Sequence, residues 1–518
     1  MPAFIKERLI CAVAALLGLF PNALLSQGVE LIPHDGSVSV FGNLIEVTEE
    51  NYLVETDLGA WSIARSTVTC SGDGCPGQEG PFSIRIAAPE EHATSLLPGL
   101  IAGFAEDLGA EFEISSQDEK KIIFGLTSSS GERIGDVTTL LRNGDDLFLS
   151  MIEEGVSFVI ANDRPSLNVA NRISDAGLGD IMSQQQERVI SIIALAVVVH
   201  PENSLSDVKI ADIRQIIDGD ISDWSELGGV PGPINLYLFG EGGSTSPYLE
   251  LVGLPGYPEI SERISIMPTM GRLSQAVATD PRGIGIVNYT NTRNFTGMTI
   301  LGGCGMTFSA DDFSIKMGNY PLQHRVTLYN IAELDESEQQ FMDLLDTTNL
   351  DRLVARAGYV DLSIKEDTEE MTARRVEEAL HAPNDDMISG PFVQNAVIDM
   401  LETDRLSTIF RFASGVSSLD IKALHDLDRL ATYLQSNPKE RVLVVGYADS
   451  WGQFSSNTAL AQSRAAIVAE ELRARMPARM RGSLLDIQTR AMSELGPVAC
   501  NDDSEGRAVN RRVEIWVK

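Results

Sequence analysis

Between Arg441 and Leu472 the chain reads RVLVVGYADSWGQFSSNTALAQSRAAIVAEEL, and this stretch restricts the fold more than any other. Arg441 to Val445 is an apolar, β-branched run of the kind that forms a buried strand, and Gly446 offers the tight turn that ends it. Asp449 therefore falls in the loop at the strand's C-terminal end. From Thr458 to about Leu472 the apolar residues Leu460, Ile467, Val468 and Leu472 recur near helical spacing, which places Arg464 on a helix that begins just after the loop. A carboxylate and a guanidinium fifteen positions apart then face one cleft. Such a pair suits a zwitterion, because Asp holds an ammonium group while Arg grips a carboxylate through two parallel hydrogen bonds.

The start of the chain reads as an export signal. Lys6 and Arg8 precede an apolar stretch from Leu9 to Leu25, and the small or polar Ser26 and Gln27 follow it, so residues 1–26 have the layout of a secretory signal peptide. Cys11 follows the charged region at once and has no apolar stretch before it, which argues against a lipid anchor. No later segment holds about 18 consecutive apolar residues. The formal net charge of −34 and the pI near 4.5 exclude nucleic acid and anionic lipid as partners, since both require positive patches. Cys70 and Cys75 frame the short polar loop TCSGDGC, which an oxidising compartment closes as a disulfide. Cys304 and Cys500 lie in different expected domains, and the sequence leaves their pairing open.

At 518 residues the chain has room for two or three domains. Residues 27–80 alternate β-formers with turn residues, as a small all-β domain does. Residues 81–362 alternate strands with helices, which predicts an α/β fold with mainly parallel sheets and ligand-facing loops at the strand ends. Residues 363–405 are rich in Glu, Asp and Arg and read as a charged helical linker that lets the preceding domain stand away from the last one, residues 406–518. The six histidines are scattered, no metal-ligand spacing is present, and no nucleophile elbow, Walker loop or dinucleotide fingerprint occurs. The chain reads as a non-enzyme without cofactor or metal.

Two resemblances to known families follow from these residues. The GxxD turn, the Asn, the helix with SxxRAxxV and the terminal NRRVE strand resemble the OmpA-like peptidoglycan-anchoring domain, over roughly residues 406–518. That resemblance implies that Asp449 and Arg464 bind the diaminopimelate of the peptidoglycan stem, supported by Asn457, Asn510, Arg511 and Arg512. The segments LAVVVHPEN, IADIRQIIDGDISDWSELGG, GGSTSPY, AVATDPRGIGIVNY and ARAGYVDL resemble the solute-binding proteins of phosphate ABC transporters, a two-lobed periplasmic fold. It implies a cleft in which Thr94, Ser95, Asp163, Arg164, Gly243, Ser244 and Thr245 meet a solute, with phosphate among the ligands.

The second pattern departs from its family at two loops. Phe239 or Gly240 stands where the family has an Arg, Glu241 adds a negative charge to the Gly-rich turn, and Glu90, Glu91 and His92 precede Thr94 in the first loop. Two carboxylates in a dry site repel phosphate by several kcal/mol. Trp224, in ISDWSELGG, reads as a packed anchor. The sequence thus supports a periplasmic protein held on the cell wall, associated with the outer membrane, that binds a small solute. The alternative is an envelope scaffold that meets partner proteins and whose cleft no longer takes a ligand.

Overall fold

The computed structural model describes residues 28–33, 38–48, 51–56, 58–71, 75, 81–241, 244–245, 249, 264–292, 295–345, 349–367, 395, 398–399, 401–477 and 485–518. The signal-peptide expectation, residues 1–26, lies outside them, as does most of the expected linker. The chain divides into two compact units, residues 1–82 and 83–518.

In the first unit five antiparallel strands form one sheet, in the order Gly59–Ala64, Asn51–Thr56, Val40–Val47, Gly28–Pro33, Val68–Ser71. Alternation puts Val29, Leu31, Tyr52, Val54 and Val68 on one buried face. Cys70 and Cys75 pair as a disulfide at the edge of that core, with their Cα atoms 5.7 Å apart.

The second unit contains a two-lobed α/β part and a C-terminal α/β domain. A single sheet of 12 strands runs through both lobes. Its spine is the strand Glu187–Val199, whose first half pairs with Gln323–Asn330 and whose second half pairs with Gly283–Asn288. That strand is apolar for most of its 13 residues because it is covered on both faces. The sheet is mixed and not mainly parallel. Phe82–Ala88 runs parallel to Phe158–Ala161, and Asn235–Glu241 runs parallel to Gly283–Asn288. However, Ala110–Gln117, Lys121–Ser128 and Arg133–Leu141 form an antiparallel meander, since their short connections leave no room for a crossover. Trp224 is buried, and its indole N–H donates to the Arg282 carbonyl at 3.0 Å.

The C-terminal domain has a four-stranded sheet in the order Asp404–Arg411, Arg512–Val517, Arg441–Gly446, Asp486–Ala491. The helices Ile421–Ser436 and Phe454–Arg475 bury Leu427, Leu430, Leu434, Val468 and Leu472 against Leu406, Val442, Val444, Val513 and Ile515. Tyr447, Met492, Leu495 and Trp516 form a smaller core with Leu443 and Val445.

This domain is docked on the two-lobed part and does not stand away from it. Residues 363–367 run beside the strand Asp404–Arg411: the Lys365 N–H donates to the Ser407 hydroxyl at 2.9 Å and the Asp367 N–H to the Arg405 carbonyl at 2.7 Å. Arg411 donates to the carbonyls of Met317 at 3.1 Å and Gly318 at 2.6 Å, and Ile409 packs on Phe313 and Met317. Cys304 and Cys500 form a disulfide across the contact. A charged composition reads as a solvated linker, but several of those charges are paired here: Glu366 accepts from Lys439 at 2.6 Å and Asp367 lies 3.0 Å from Arg405. Among the described residues no helix is long and apolar enough to cross a membrane.

Candidate functional site

The strand Arg441–Gly446 delivers Tyr447–Gln453 as a loop to the start of the helix Phe454–Arg475. Gly446 is required there because a Cβ would fall on the Ala461 carbonyl of that helix. The helix begins four residues before the expected Thr458, which brings Asn457 into its first turn. Gly452 turns the loop with a φ of 109°, a conformation that a side chain disfavours.

Asp449 is buried, and its carboxylate accepts from Arg511 Nη1 at 2.8 Å and from the Trp451 N–H at 3.3 Å. Arg511 also donates through Nε to the Phe412 carbonyl at 3.1 Å. Asn457 does not touch the carboxylate. Its Nδ2 donates to the Asp449 carbonyl at 3.1 Å and to Glu494 at 3.2 Å, so it pins the loop backbone.

Arg464 is fully buried. Its Nε donates to the Val416 carbonyl and its Nη2 to the Ala413 carbonyl, both at 3.0 Å, and the guanidinium lies 5.1 Å from the Phe412 ring centre. Its Nη1 has no hydrogen-bond partner among the described residues. Burial, and after it the positive charge of Arg511, push the Arg464 pKa down to about 10 while Asp449 pulls it up, so the group stays charged at neutral pH. A buried cation with one N–H face unsatisfied is costly unless a ligand pairs with it.

Asn510 and Arg512 act one step back. Asn510 accepts from the N–H groups of Val498 and Ala499 and donates to Asn501, whose Oδ1 also accepts from the Ser450 N–H at 3.3 Å. Arg512 is fully buried, donates to Glu514 and to the Gly496 carbonyl at 2.8 Å each, and lies 3.8 Å from the Tyr447 ring centre. Glu494, Asn501 and Phe412 were missed from sequence, since each acts through a loop contact that leaves no spacing signal. So was Trp451, which is 78% exposed beside Asp449 with Arg507 5.7 Å from its ring centre.

Residues 411–511 match the family model described as the OmpA family. The C-terminal domain is an OmpA-family domain. Related sequences divide between it and the rest of the chain. The peptidoglycan-binding protein ArfA of Mycobacterium bovis is 42% identical over 92 residues, which is 18% of this chain and 26% of that protein. The phosphate-binding protein PstS of Bacillus subtilis is 21% identical over 199 residues, 36% of this chain and 64% of that protein. A solved structure of a possible phosphate binding protein from Planctomyces limnophilus aligns over 62% of this chain and 99% of its own, at 17% identity and a TM-score of 0.43. The chain spans less than two thirds of each of the two curated relatives. It therefore joins an OmpA-family domain to a PstS-like region.

In the PstS-like region the expected first loop is a short helix, Glu90–Ser95. The Thr94 hydroxyl donates to the Glu90 carbonyl at 2.8 Å, and the Ser95 hydroxyl bonds the Glu91 carbonyl and, at 2.7 Å, the Tyr359 hydroxyl. Buried His92 bridges Tyr359 at 2.9 Å and Asn162 at 2.8 Å. Burial pushes its pKa down to about 4, and burial pushes that of Glu91 up. Arg164 is drawn to the strand Glu187–Val199, where its Nε donates to Glu187 at 2.7 Å. The Asp163 carboxylate is 85% exposed, 3.7 Å from His324. Ser244 and Thr245 form a short strand against Gly240 and Glu241, and Gly243 lies outside the described residues. Thr94, Ser95 and Arg164 thus direct their polar groups to neighbouring groups of the protein. Among the described residues no cluster of His, Cys, Asp and Glu is placed to hold a metal ion.

Proposed function

We propose that the OmpA-family domain binds the diaminopimelate of the peptidoglycan stem peptide and holds the protein at the cell wall, in the periplasm, after export. The observation that carries this reading is Arg464: fully buried, fixed by two backbone carbonyls, and left with Nη1 unpaired in the electrostatic range of Asp449. Arg464 Nη1 would donate to the ligand carboxylate, and Asp449 would accept from its ammonium group while Arg511 keeps the aspartate oriented. Co-sedimentation with purified diaminopimelate-type sacculi tests it. Retention of full binding by both Asp449→Ala and Arg464→Ala would exclude the site.

The two-lobed region is proposed as the solute-binding part, with phosphate the first anion to try because a related protein bears that name. A second reading, an envelope scaffold without a cleft ligand, is favoured by the internal satisfaction of Thr94, Ser95 and Arg164. Calorimetric titration of the whole protein with phosphate and other small anions, repeated with Arg164→Ala, decides between them, since the scaffold reading requires no heat that this substitution removes.

A further inference from the structure

A small cavity lies where the OmpA-family domain docks on the two-lobed region. Its polar lining is Lys316, Arg325, Lys422, Arg429, Asp426 and Thr408 with two serines, and aliphatic side chains close the rest of the wall. Four cations thus meet one carboxylate. Asp426 is already shared between Lys422 and Arg429, the latter at 2.8 Å. Lys316 is held by Asp361 at 2.7 Å and by the carbonyl and hydroxyl of Ser363. Arg325 has no hydrogen bond or ion pair among the described residues, although it borders the cavity; Asp426 and Asp420 act on it only at longer range. Arg411 adds a further, half-buried cation nearby, and both guanidinium groups approach Gly318.

We propose that this cavity binds a small inorganic oxyanion, of phosphate or sulfate size, on the guanidinium fork of Arg325, with Lys422 and Arg429 supplying further positive charge. The chemistry follows from the donors: a planar guanidinium presents paired N–H groups that match two oxygens of an oxyanion, and the surplus of positive charge makes a neutral occupant a poor fit. Size restricts the class. The cavity volume of ≈ 30 Å³ gives room for two or three water-sized groups at about 10–15 Å³ each, the scale of a small inorganic ion. Desolvation supports the same conclusion, since burial pushes the pKa of Lys422 down to about 8 and that of Arg325 down as well, and an anion would restore both.

The site adjoins a wider opening of ≈ 380 Å³, in which Arg325 and Lys422 are joined by Asn162, Arg164, Glu187 and His324. On that wider side the His324 Nε2 donates to the Asn162 carbonyl at 2.8 Å, whereas Arg325 reaches both the opening and the cavity. The ion would sit between the two domains and stabilise their docking.

Thermal melts of the full-length, oxidised protein test the proposal, in buffer whose only anion is bulky gluconate, with sulfate or phosphate titrated in at constant ionic strength. The expected result is a saturable rise in Tm of several degrees with either ion. Arg325→Met should remove that rise while leaving the Tm in gluconate equal or higher, because a half-buried cation without an ion-pair partner among the described residues is gone. Lys422→Gln, which leaves Asp426 paired with Arg429, should weaken the response about tenfold in concentration. A selenate-soaked crystal should show an anomalous peak in the cavity. No saturable rise in the wild type, or the same rise in Arg325→Met, would overturn the proposal, and the second outcome would assign the ion to the solute cleft.

Discussion

Serine at both Cys304 and Cys500 should cost the protein between about 2 and 5 kcal/mol of stability. The upper figure comes from chain entropy: a cross-link between residues 196 positions apart removes about 18 cal/mol/K from the unfolded ensemble, or about 5 kcal/mol at 25 °C. The lower figure allows for residual structure in the unfolded chain. The domains should stay docked in the variant, because Arg411 still donates to the Met317 and Gly318 carbonyls and Ile409 still packs on Phe313 and Met317. What should loosen is the segment around Cys500, whose neighbour Asn501 accepts from the Ser450 N–H beside Asp449. The assay is urea unfolding of oxidised wild type and variant, followed by tryptophan fluorescence, with hydrogen exchange over residues 496–507. Unchanged stability and unchanged exchange, or free thiols at both positions in protein from the periplasm, would refute the covalent lock.

Arg464→Lys keeps the charge but loses the fork, and should weaken sacculus binding about 30-fold or more, as should Asp449→Asn; equilibrium pull-down measures both. Arg512→Met should lower the stability of the C-terminal domain by about 3–5 kcal/mol, because it leaves the fully buried Glu514 short of its main partner, and calorimetry of the whole protein should show that loss. His92 contributes stability that is fully present above its ordinary pKa of 6.5 and is lost as the pH falls toward about 4, since the unfolded chain takes up the proton first. A difference of that size corresponds to about 3 kcal/mol, partly offset by Glu91, whose raised pKa acts in the opposite direction. His92→Gln should flatten that part of the stability profile, and a profile as steep as that of the wild type would show that other groups control acid unfolding.

Much of the C-terminal domain was legible because its chemistry sits on local pattern. A β-branched run, a glycine and helical spacing place Asp449 and Arg464 without knowledge of the rest of the fold. The partner of Asp449 was not legible in the same way. Arg511 lies 62 positions further on and reaches the carboxylate only because the strand Arg512–Val517 pairs beside Arg441–Gly446. The two-lobed region shows the opposite limit. Its strands announced themselves by composition, but Glu90–Ser95 looked like a polar loop and is a helix whose hydroxyls bond back onto their own turn. Domain docking left the faintest trace. Its determinants are a disulfide between distant cysteines and an arginine that bonds backbone carbonyls across the contact, and neither has a period to detect.

The central claim, that the C-terminal domain recognises a diaminopimelate stem, is tested most directly by titrating the full-length protein with a purified diaminopimelate-containing stem peptide. A matched lysine-containing peptide, which lacks the second carboxylate, serves as the control. The account predicts saturable binding of the first, at least tenfold weaker binding of the second, and loss of the difference in Arg464→Lys. Equal affinity for the two peptides, or no binding of either, would contradict it.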